Sequence, residues 1–232
     1  TLESAGVSLE YIRKDDHLKT GITVQLNTGS DRAMLTYGGT IDTFEASDIS
    51  EDLLKSVRHL HIGSYFLMKK LQPHYKKIIQ VLKAHGATIS LDTNWDPEET
   101  WDSGIMEILP YVDIILPNEN EALAITREST VERAIDKLRS QIPIVAVKKG
   151  KDGAVTYSKD GVIVTPSIDM PKVDAIGAGD SFDAGFVYGY LTGRSIEECA
   201  RIGCICGSFN VSAPGGTKGQ PRLNEMGKYL NV

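Results

Sequence analysis

Short apolar segments alternate with longer amphipathic segments from about residue 43 onward, and this alternation constrains the possible folds more than any other feature of the sequence. Short strands that alternate with helices form a parallel sheet that is covered on both faces. The sequence therefore predicts an α/β fold, with a hairpin over 154–165 at the edge of the sheet. The predicted strands are 57–62, 88–92, 112–116 and 144–147, and the predicted helices are 73–85, 100–109, 119–126, 131–140, 180–191 and one that starts at Ser195.

The first part of the chain has a different pattern. Apolar and polar residues alternate over 22–26, turn-forming residues occupy 27–31, and a returning strand is predicted over 34–37. Such a hairpin has too few apolar positions to form a core of its own. We therefore predict a small β appendage over residues 1–42 and an α/β core over residues 43–232.

Composition excludes several classes of protein. The net charge of −6 argues against nucleic acid or an anionic membrane as the main partner, because both are bound through basic surfaces. No apolar run approaches the ~20 residues that are needed to cross a bilayer. Cys199, Cys204 and Cys206 lack the spacing of a zinc or redox motif and are interpreted as small buried residues. We expect a cytoplasmic protein.

Polar side chains follow several of the predicted strands. In a parallel α/β sheet, ligands bind beyond the carboxyl ends of the strands, so these residues are expected to share one site. They are Asp92 and Asn94 after one strand, Asn118 and Glu121 after the next, Lys149 and Gly150 after a third, and Gly177, Ala178, Gly179 and Asp180 before a helix on the same edge. Lys148 and Lys149 by themselves indicate only an exposed strand end.

The segment Gly177-Ala178-Gly179-Asp180 is the most specific of these features. Glycines allow the backbone to approach a ligand closely, and the free N–H groups at a helix N-terminus bind phosphate oxygens. Asp180 would then lie beside a bound phosphate, where it could accept a proton from an attacking hydroxyl. The alternative is a glycine-rich turn in which Asp180 is a plain helix cap. The chain has neither a P-loop motif nor a dinucleotide-binding G-x-G-x-x-G.

These motifs resemble those of a known family. The segment V-D-A-I-G-A-G-D-S-F at 173–182 resembles the C-terminal signature of the ribokinase-like (PfkB) carbohydrate kinases. The segment N-E-N-E at 118–121 is similar to the N-x-x-E motif of that family, and 147–153 resembles its nucleotide-side turn. L-D-T-N-W at 91–95 resembles the D-x-N segment of its sugar-acid and fructose kinases. Their order and spacing hold over essentially the whole chain.

The resemblance implies a ribokinase-like fold, with residues 1–42 as a β-strand lid region and residues 43–232 as an α/β nucleotide-binding and catalytic core. It also implies ATP and Mg²⁺ as cofactors and a role for each residue. Asp180 would be the base that takes the proton from the sugar hydroxyl, and the backbone amides of Gly177, Ala178 and Gly179 would hold the transferring phosphate. The remaining roles are Asn118 and Glu121 at Mg²⁺, Lys149, Gly150 and Gly153 beside the nucleotide, Asn210 and Gly215 at the adenine pocket, Asp92 and Asn94 at the substrate, and Asp174 at a monovalent cation, which makes K⁺ a candidate cofactor. Without the resemblance, Asn118 and Glu121 would be interpreted as a helix-start Asn and a solvated Glu.

The sequence also departs from the family pattern. Ala175 stands where threonine is usual, and Asp96 follows Trp95 where sugar-acid kinases often have Arg. The chain opens close to the lid, so it resembles a kinase without its first βα unit, which in the family carries sugar-binding residues. We expect phosphorylation of a fructose, ribose or 2-keto-3-deoxygluconate type of substrate. The alternatives are a nucleoside kinase and a catalytically inactive ATP-binding fragment, and the lid could support a homodimer.

Overall fold

A mixed sheet lies at the centre of the computed structural model, which describes residues 2–28 and 31–230. Within that part of the chain the sheet has six strands, in the order β3-β4-β5-β6-β7-β8. The strands are β3 (His59–Gly63), β4 (Thr88–Asp92), β5 (Ile114–Ile115), β6 (Ile144–Lys148), β7 (Ala154–Ser158) and β8 (Gly161–Thr165). β3 to β6 are parallel, whereas β7 and β8 form the predicted antiparallel hairpin at the edge. The α/β fold is therefore confirmed.

Helices cover both faces of the sheet. They are α1 (Glu51–Ser56), α2 (Tyr75–Ala84), α3 (Ile105–Ile108), α4 (Glu119–Thr126), α5 (Val131–Arg139), α6 (Ala178–Leu191), α7 (Ile196–Asn210) and α8 (Leu223–Met226). Alternate residues of β6 point to opposite faces. Val145 and Val147 pack in the core beneath α2, α4 and α5, while Ile144 and Ala146 pack against α6 and α7.

The two helices α6 and α7 pack closely because small residues line their interface. A Cβ atom at Gly185 would lie 2.8 Å from Cys206 Sγ, and one at Gly189 would lie 3.0 Å from Cys199 Cα. Cys199, Cys204 and Cys206 are buried free thiols, as predicted. Burial raises the pKa of the Cys199 and Cys206 thiols to about 11 and that of Cys204 to about 12, so all three remain protonated at neutral pH.

The prediction of a helix over 100–109 was wrong for its first half. Residues 93–104 form a loop, and the helix is limited to Ile105–Ile108. The carboxylate of Asp96 organises this loop, since it accepts hydrogen bonds from the backbone N–H groups of Glu98, Thr100 and Trp101 at 3.0, 2.9 and 2.7 Å. Glu99 and Trp101 have positive φ angles of 53° and 52°, which interrupt a helix. The hydrogen bonds to the Asp96 side chain therefore stabilise a loop where the apolar periodicity predicted a helix.

The predicted N-terminal hairpin is present as β1 (Ile22–Thr28) and β2 (Asp31–Tyr37), which form a separate two-stranded antiparallel sheet. Gly29 and Ser30, in the predicted turn, lie outside the described residues. The apolar residues Ile22, Val24, Leu26, Leu35 and Tyr37 are 45% to 61% exposed. The division into a lid over 1–42 and a core over 43–232 stays a prediction. Among the described residues, no helix is long and apolar enough to span a bilayer.

Candidate active site

The carboxyl ends of β4, β5 and β6 meet at one edge of the sheet, as the parallel topology requires. Asp92 is the last residue of β4, and Asn118 lies just beyond β5, where it forms an isolated parallel bridge with Lys148 at the end of β6. The N-terminus of α6 approaches the same edge, because a Cβ atom at Gly179 would lie 3.5 Å from Lys148 Nζ. The structure thus brings the predicted strand-end residues together with the glycine-rich segment.

Gly177 precedes α6 in a conformation that requires glycine. Its φ angle is 72°, and a Cβ atom there would lie 2.7 Å from the carbonyl oxygen of Gly216. Among the described residues, no side chain caps this helix end. In the part of the chain that the structure describes, the N–H of Ala178 donates to the carbonyl of Ala175 at 3.4 Å, whereas those of Gly179 and Asp180 are available to an anion, and the helix dipole favours negative charge there.

Asp180 lies in the first turn of α6 and is exposed to solvent. Its carboxylate is close to two buried carboxylates, and oxygen atoms of Asp92, Asp180 and Asp183 all lie within 4.8 Å of one another. Asp183 is one helical turn after Asp180 on the same helix. The exposed carboxylate at the helix N-terminus is the one that a bound hydroxyl could reach.

Lys148 is a site residue that the sequence reasoning missed. Its side chain is 14% exposed, and Nζ donates to Asp92 Oδ2 at 2.8 Å and to Asp183 Oδ1 and Oδ2 at 3.3 and 3.4 Å. Burial lowers the pKa of Lys148, but Asp183, Asp92 and Glu121 raise it more, so the net pKa is raised and the ammonium stays charged. The expectation of an exposed strand end was wrong for Lys148. The sequence did contain a signal for its burial, because Lys148 ends the strand Ile144–Lys148, whose other residues are all apolar.

Asn118 and Glu121 form a capping box at the start of α4. Asn118 Oδ1 accepts from the N–H of Glu121, and Glu121 Oε2 accepts from the N–H of Asn118, both at 2.9 Å. Glu121 is buried, and its pKa is raised by this burial and by Asp92, with Lys148 opposing both. Carboxylate and amide oxygens have further lone pairs, so these residues can still hold a hydrated Mg²⁺ through water. Their role at a metal stays a prediction.

A cavity of about 480 Å³ adjoins the glycine-rich segment. Of the residues predicted to flank a nucleotide, Gly150 and Gly153 line this cavity, together with Ala178 and Gly179. The Lys149 side chain instead forms an ion pair with Glu119 at 3.1 Å. The cavity therefore extends from the anion-binding helix end along β6 and the turn that follows it.

Asp174, Asn210 and Gly215 support the glycine-rich segment from behind. Asp174 Oδ2 accepts from the N–H of Gly215 at 2.9 Å, and Asn210 Nδ2 donates to the carbonyl of Gly216 at 2.7 Å. Gly216 in turn contacts Gly177. These bonds fix the loop after α7 against the start of α6. The monovalent-cation role of Asp174 and the adenine-pocket role of Asn210 and Gly215 remain predictions.

Asp92 and Asn94, the predicted substrate-binding pair, are bonded to each other and to neighbouring residues. Asp92 Oδ1 accepts from the N–H of Asn94 at 3.1 Å, and Asn94 Nδ2 donates to Ser64 Oγ at 3.1 Å. Burial raises the pKa of Asp92, but the Lys148 ammonium and hydrogen bonds from Asp183, Lys148 and Asn94 lower it more, so the net pKa is lowered. Asp92 is therefore ionised and paired with Lys148, and its contact with a substrate remains a prediction.

The fold and the site define an α/β protein that can hold an anion at a helix N-terminus beside an exposed carboxylate. Residues 1–223 match the family model described as pfkB family carbohydrate kinase. The chain belongs to that family, and the predicted resemblance is confirmed.

Similar proteins of known type include several sugar kinases. The chain is 27% identical over its whole length to a 2-dehydro-3-deoxygluconokinase of Bacillus subtilis, of which it covers 75%. It is 30% identical over its whole length to a nucleoside kinase of Methanothermobacter thermautotrophicus, of which it covers 73%. Among solved structures, a provisionally assigned ribokinase II of E. coli in complex with ATP and Mg²⁺ superposes with a TM-score of 0.78 at 28% identity. That match covers 90% of this chain and 70% of the other.

Proposed function

We propose that this protein transfers the γ-phosphoryl group of Mg-ATP to a hydroxyl group of a sugar or sugar acid, with Asp180 as the base. The observation that carries the proposal is the exposed carboxylate of Asp180 in the first turn of an uncapped helix that adjoins a cavity of about 480 Å³. Family membership supports a carbohydrate acceptor, and the E. coli structure with ATP and Mg²⁺ supports the nucleotide and the metal.

In the proposed reaction, the acceptor oxygen attacks the γ-phosphorus and the bond between this phosphorus and the β–γ bridging oxygen breaks. The proton of the acceptor hydroxyl passes to the carboxylate of Asp180, and ADP leaves with the electrons of the broken bond. Phosphoryl transfer depends mostly on positioning and on the stabilisation of charge on the phosphoryl oxygens. The N–H groups of Gly177, Ala178 and Gly179 at the start of α6 are suited to this task.

The metal would be held near Asn118 and Glu121. When bound, Mg²⁺ neutralises charge on the nucleotide phosphates and keeps part of its water shell. The capping box fixes the orientation of both side chains, so a hydrated ion would meet preoriented oxygen atoms. The role of Asp174 at K⁺ is a separate part of the proposal, and a comparison of activity in K⁺ and in tetramethylammonium salts would test it.

The relatives support two classes of acceptor, of which the first is sugars and sugar acids and the second is nucleosides. Sugar and sugar-acid kinases such as 2-dehydro-3-deoxygluconokinase favour the first class. A nucleoside kinase at 30% identity over the whole chain favours the second. We place the carbohydrate class first because the matched family is that of carbohydrate kinases.

The direct test is ADP release from Mg-ATP against a panel of sugars, sugar acids and nucleosides. Sugar-dependent release would support the proposal and identify the acceptor, whereas release only with nucleosides would favour the second class. Gly179→Val is the matched variant, since its side chain would reach toward Lys148 Nζ and fill the anion site. Release that this variant retains would show that the glycine-rich segment does not hold the phosphate. An absence of turnover with every acceptor would favour the inactive ATP-binding alternative.

The lid hairpin is proposed as a dimer contact. The residues Val24 and Leu35 are directly opposed in the register of β1 and β2, so they share one face with Ile22, Leu26 and Tyr37. That face is apolar and exposed, which is typical of a surface that another protein covers. A second copy of this chain is the partner that we propose.

A further inference from the structure

Lys148 is held more rigidly than its neighbour Lys149. Its ammonium group lies between two carboxylates from different elements, Asp92 at the end of β4 and Asp183 in α6. Both carboxylates are 2% exposed. A long flexible side chain is thereby fixed at one position, and the ordering entropy is lost on folding rather than on ligand binding.

The positive charge of Lys148 is compensated by a neighbouring carboxylate. Burial raises the pKa of Asp183 well above its usual range, with Lys148 opposing this effect and Asp92 adding to it. Asp92 is ionised and compensates one positive charge. The Lys148 ammonium therefore offsets the negative charge of Asp92, and the raised pKa of Asp183 reduces the negative charge that a phosphate group beside it would meet.

The ammonium group lies directly beneath the anion-binding segment. A Cβ atom at Gly179 would be 3.5 Å from Lys148 Nζ, and Lys148 lines the same cavity as Ala178 and Gly179. An ammonium group has three N–H donors. Within the described residues, Nζ donates to Asp92 Oδ2 at 2.8 Å and, at the longer distances of 3.3 and 3.4 Å, to the two oxygens of Asp183, so a phosphate oxygen in the cavity would share or replace one of the longer bonds to Asp183.

We propose that Lys148 binds the terminal phosphoryl group of the nucleotide, with Asp92 and Asp183 holding its ammonium group beside Gly179. This inference rests on the proposed function, because it takes a nucleoside triphosphate as the ligand of the cavity. It adds to that function a positively charged side chain at the end of the nucleotide where the phosphoryl group is transferred. A charge held in this way stabilises the transferring group without reorganisation.

The alternative is that Lys148 only neutralises Asp92. The two roles differ in what they predict for nucleotides with and without a γ-phosphate. A ligand of the terminal phosphoryl group affects the binding of an ATP analogue but not that of ADP. A purely structural residue affects both nucleotides alike, or neither.

The test is the affinity of the chain for Mg-ADP and for the Mg complex of the non-hydrolysable imido analogue of ATP, measured by titration calorimetry. For Lys148→Met we expect at least about a tenfold weaker binding of the analogue and less than about a threefold change for ADP. Lys148→Arg, which keeps the charge, should retain part of the affinity for the analogue that Lys148→Met loses. Equal changes for the two nucleotides, or no change, would overturn the inference.

A second variant keeps the test valid if Lys148→Met does not fold. Loss of the lysine leaves Asp92 buried without its partner, whereas Lys148→Met combined with Asp92→Asn removes both charges. The double variant should fold. Relative to the wild type, its affinity for the ATP analogue should still fall more than its affinity for ADP. If it binds the analogue as the wild type does, Lys148 serves only to neutralise Asp92. A wild-type chain that binds neither nucleotide would instead refute the proposed function, and this inference with it.

Discussion

At the scale of single residues, Gly177 combines two constraints that only glycine meets. Its φ angle is 72°, and a Cβ atom would lie 2.7 Å from the backbone oxygen of Gly216. Gly193 has a similar φ angle of 74° but nothing within 4 Å of a Cβ position. A comparison of alanine substitutions at Gly177 and Gly193 therefore separates the free-energy cost of the positive φ angle from that of the steric clash.

We predict that Gly193→Ala destabilises the protein by about 1 kcal/mol through backbone strain alone. Gly177→Ala should cost more than about 2 kcal/mol, because the Gly216 backbone cannot move away without disturbing its bond to Asn210. Gly177→Ala should also weaken nucleotide binding at least about tenfold, since it displaces the first N–H groups of α6. Urea denaturation and nucleotide titration would measure the two effects. Equal stability losses with unchanged nucleotide affinity would contradict the prediction.

The sequence was informative for the glycine-rich segment because its residue types are dictated by the local backbone. Gly177, Gly179 and Asp180 act through the start of one helix, and a short motif contains that information. Lys148 and Asp183 are 35 residues apart and meet only when β6 and α6 pack together. Their pairing is a tertiary property, so strand-end position alone predicted exposure for Lys148 and gave no role to Asp183.

At the scale of elements, strand and helix types could be predicted wherever the apolar period was clear. β4 (Thr88–Asp92) and α4 (Glu119–Thr126) have the predicted bounds. The predicted helix over 100–109 failed because Asp96, which is buried, bonds to the N–H groups of its own loop. Those bonds depend on local geometry that periodicity does not encode.

The adjacent strands β3 and β4 share a partly buried set of hydrogen-bonded side chains, from which a pH dependence of stability follows. His59 Nδ1 bonds to Thr88 Oγ1 at 2.7 Å, and Nε2 bonds to Ser90 Oγ at 2.8 Å. Burial lowers the pKa of His59 to about 4, with His61 adding to the effect and Asp113 opposing it. His59 is thus neutral in the folded state, while the unfolded chain takes up a proton below pH 6.5.

The stabilising contribution of neutral His59 is therefore present above pH 6.5 and is lost as the pH falls toward 4. We predict that the wild type loses up to about 3 kcal/mol more stability over this interval than His59→Gln does. Urea denaturation at a series of pH values would measure the difference. The exposed His85→Gln is the matched control and should follow the wild type. Parallel curves for the wild type and His59→Gln would refute the assignment.

At the scale of the whole molecule, the α/β core and the family were predictable because the motifs are distributed along most of the chain. Residues 1–223 match the family. Assembly is different, because it depends on contacts that form only when a second copy of the chain binds. The exposed apolar face of the hairpin is the surface at which we propose that this second copy binds.

The proposed dimer gives a prediction at this scale. Val24→Lys with Leu35→Lys places two charges on the apolar face and should convert a dimer into a monomer of 25.3 kDa. Thr23→Lys with Thr36→Lys places the same charges at an opposed pair on the other face of the hairpin and should leave the dimer intact. Sedimentation equilibrium over a range of concentrations would measure the mass. A wild type that is monomeric throughout, or equal effects of the two variants, would contradict the proposal.

The central claim is that Asp180 is the base in phosphoryl transfer, and its most direct test is the rate of acceptor-dependent ADP release in Asp180→Asn. With the acceptor from the panel, we predict that kcat falls at least about a hundredfold while the dissociation constant for Mg-ATP changes less than about threefold. The exposed Asp160→Asn, in the β7–β8 hairpin, should retain the wild-type kcat. An Asp180→Asn variant with a kcat within a few-fold of the wild type would contradict the account.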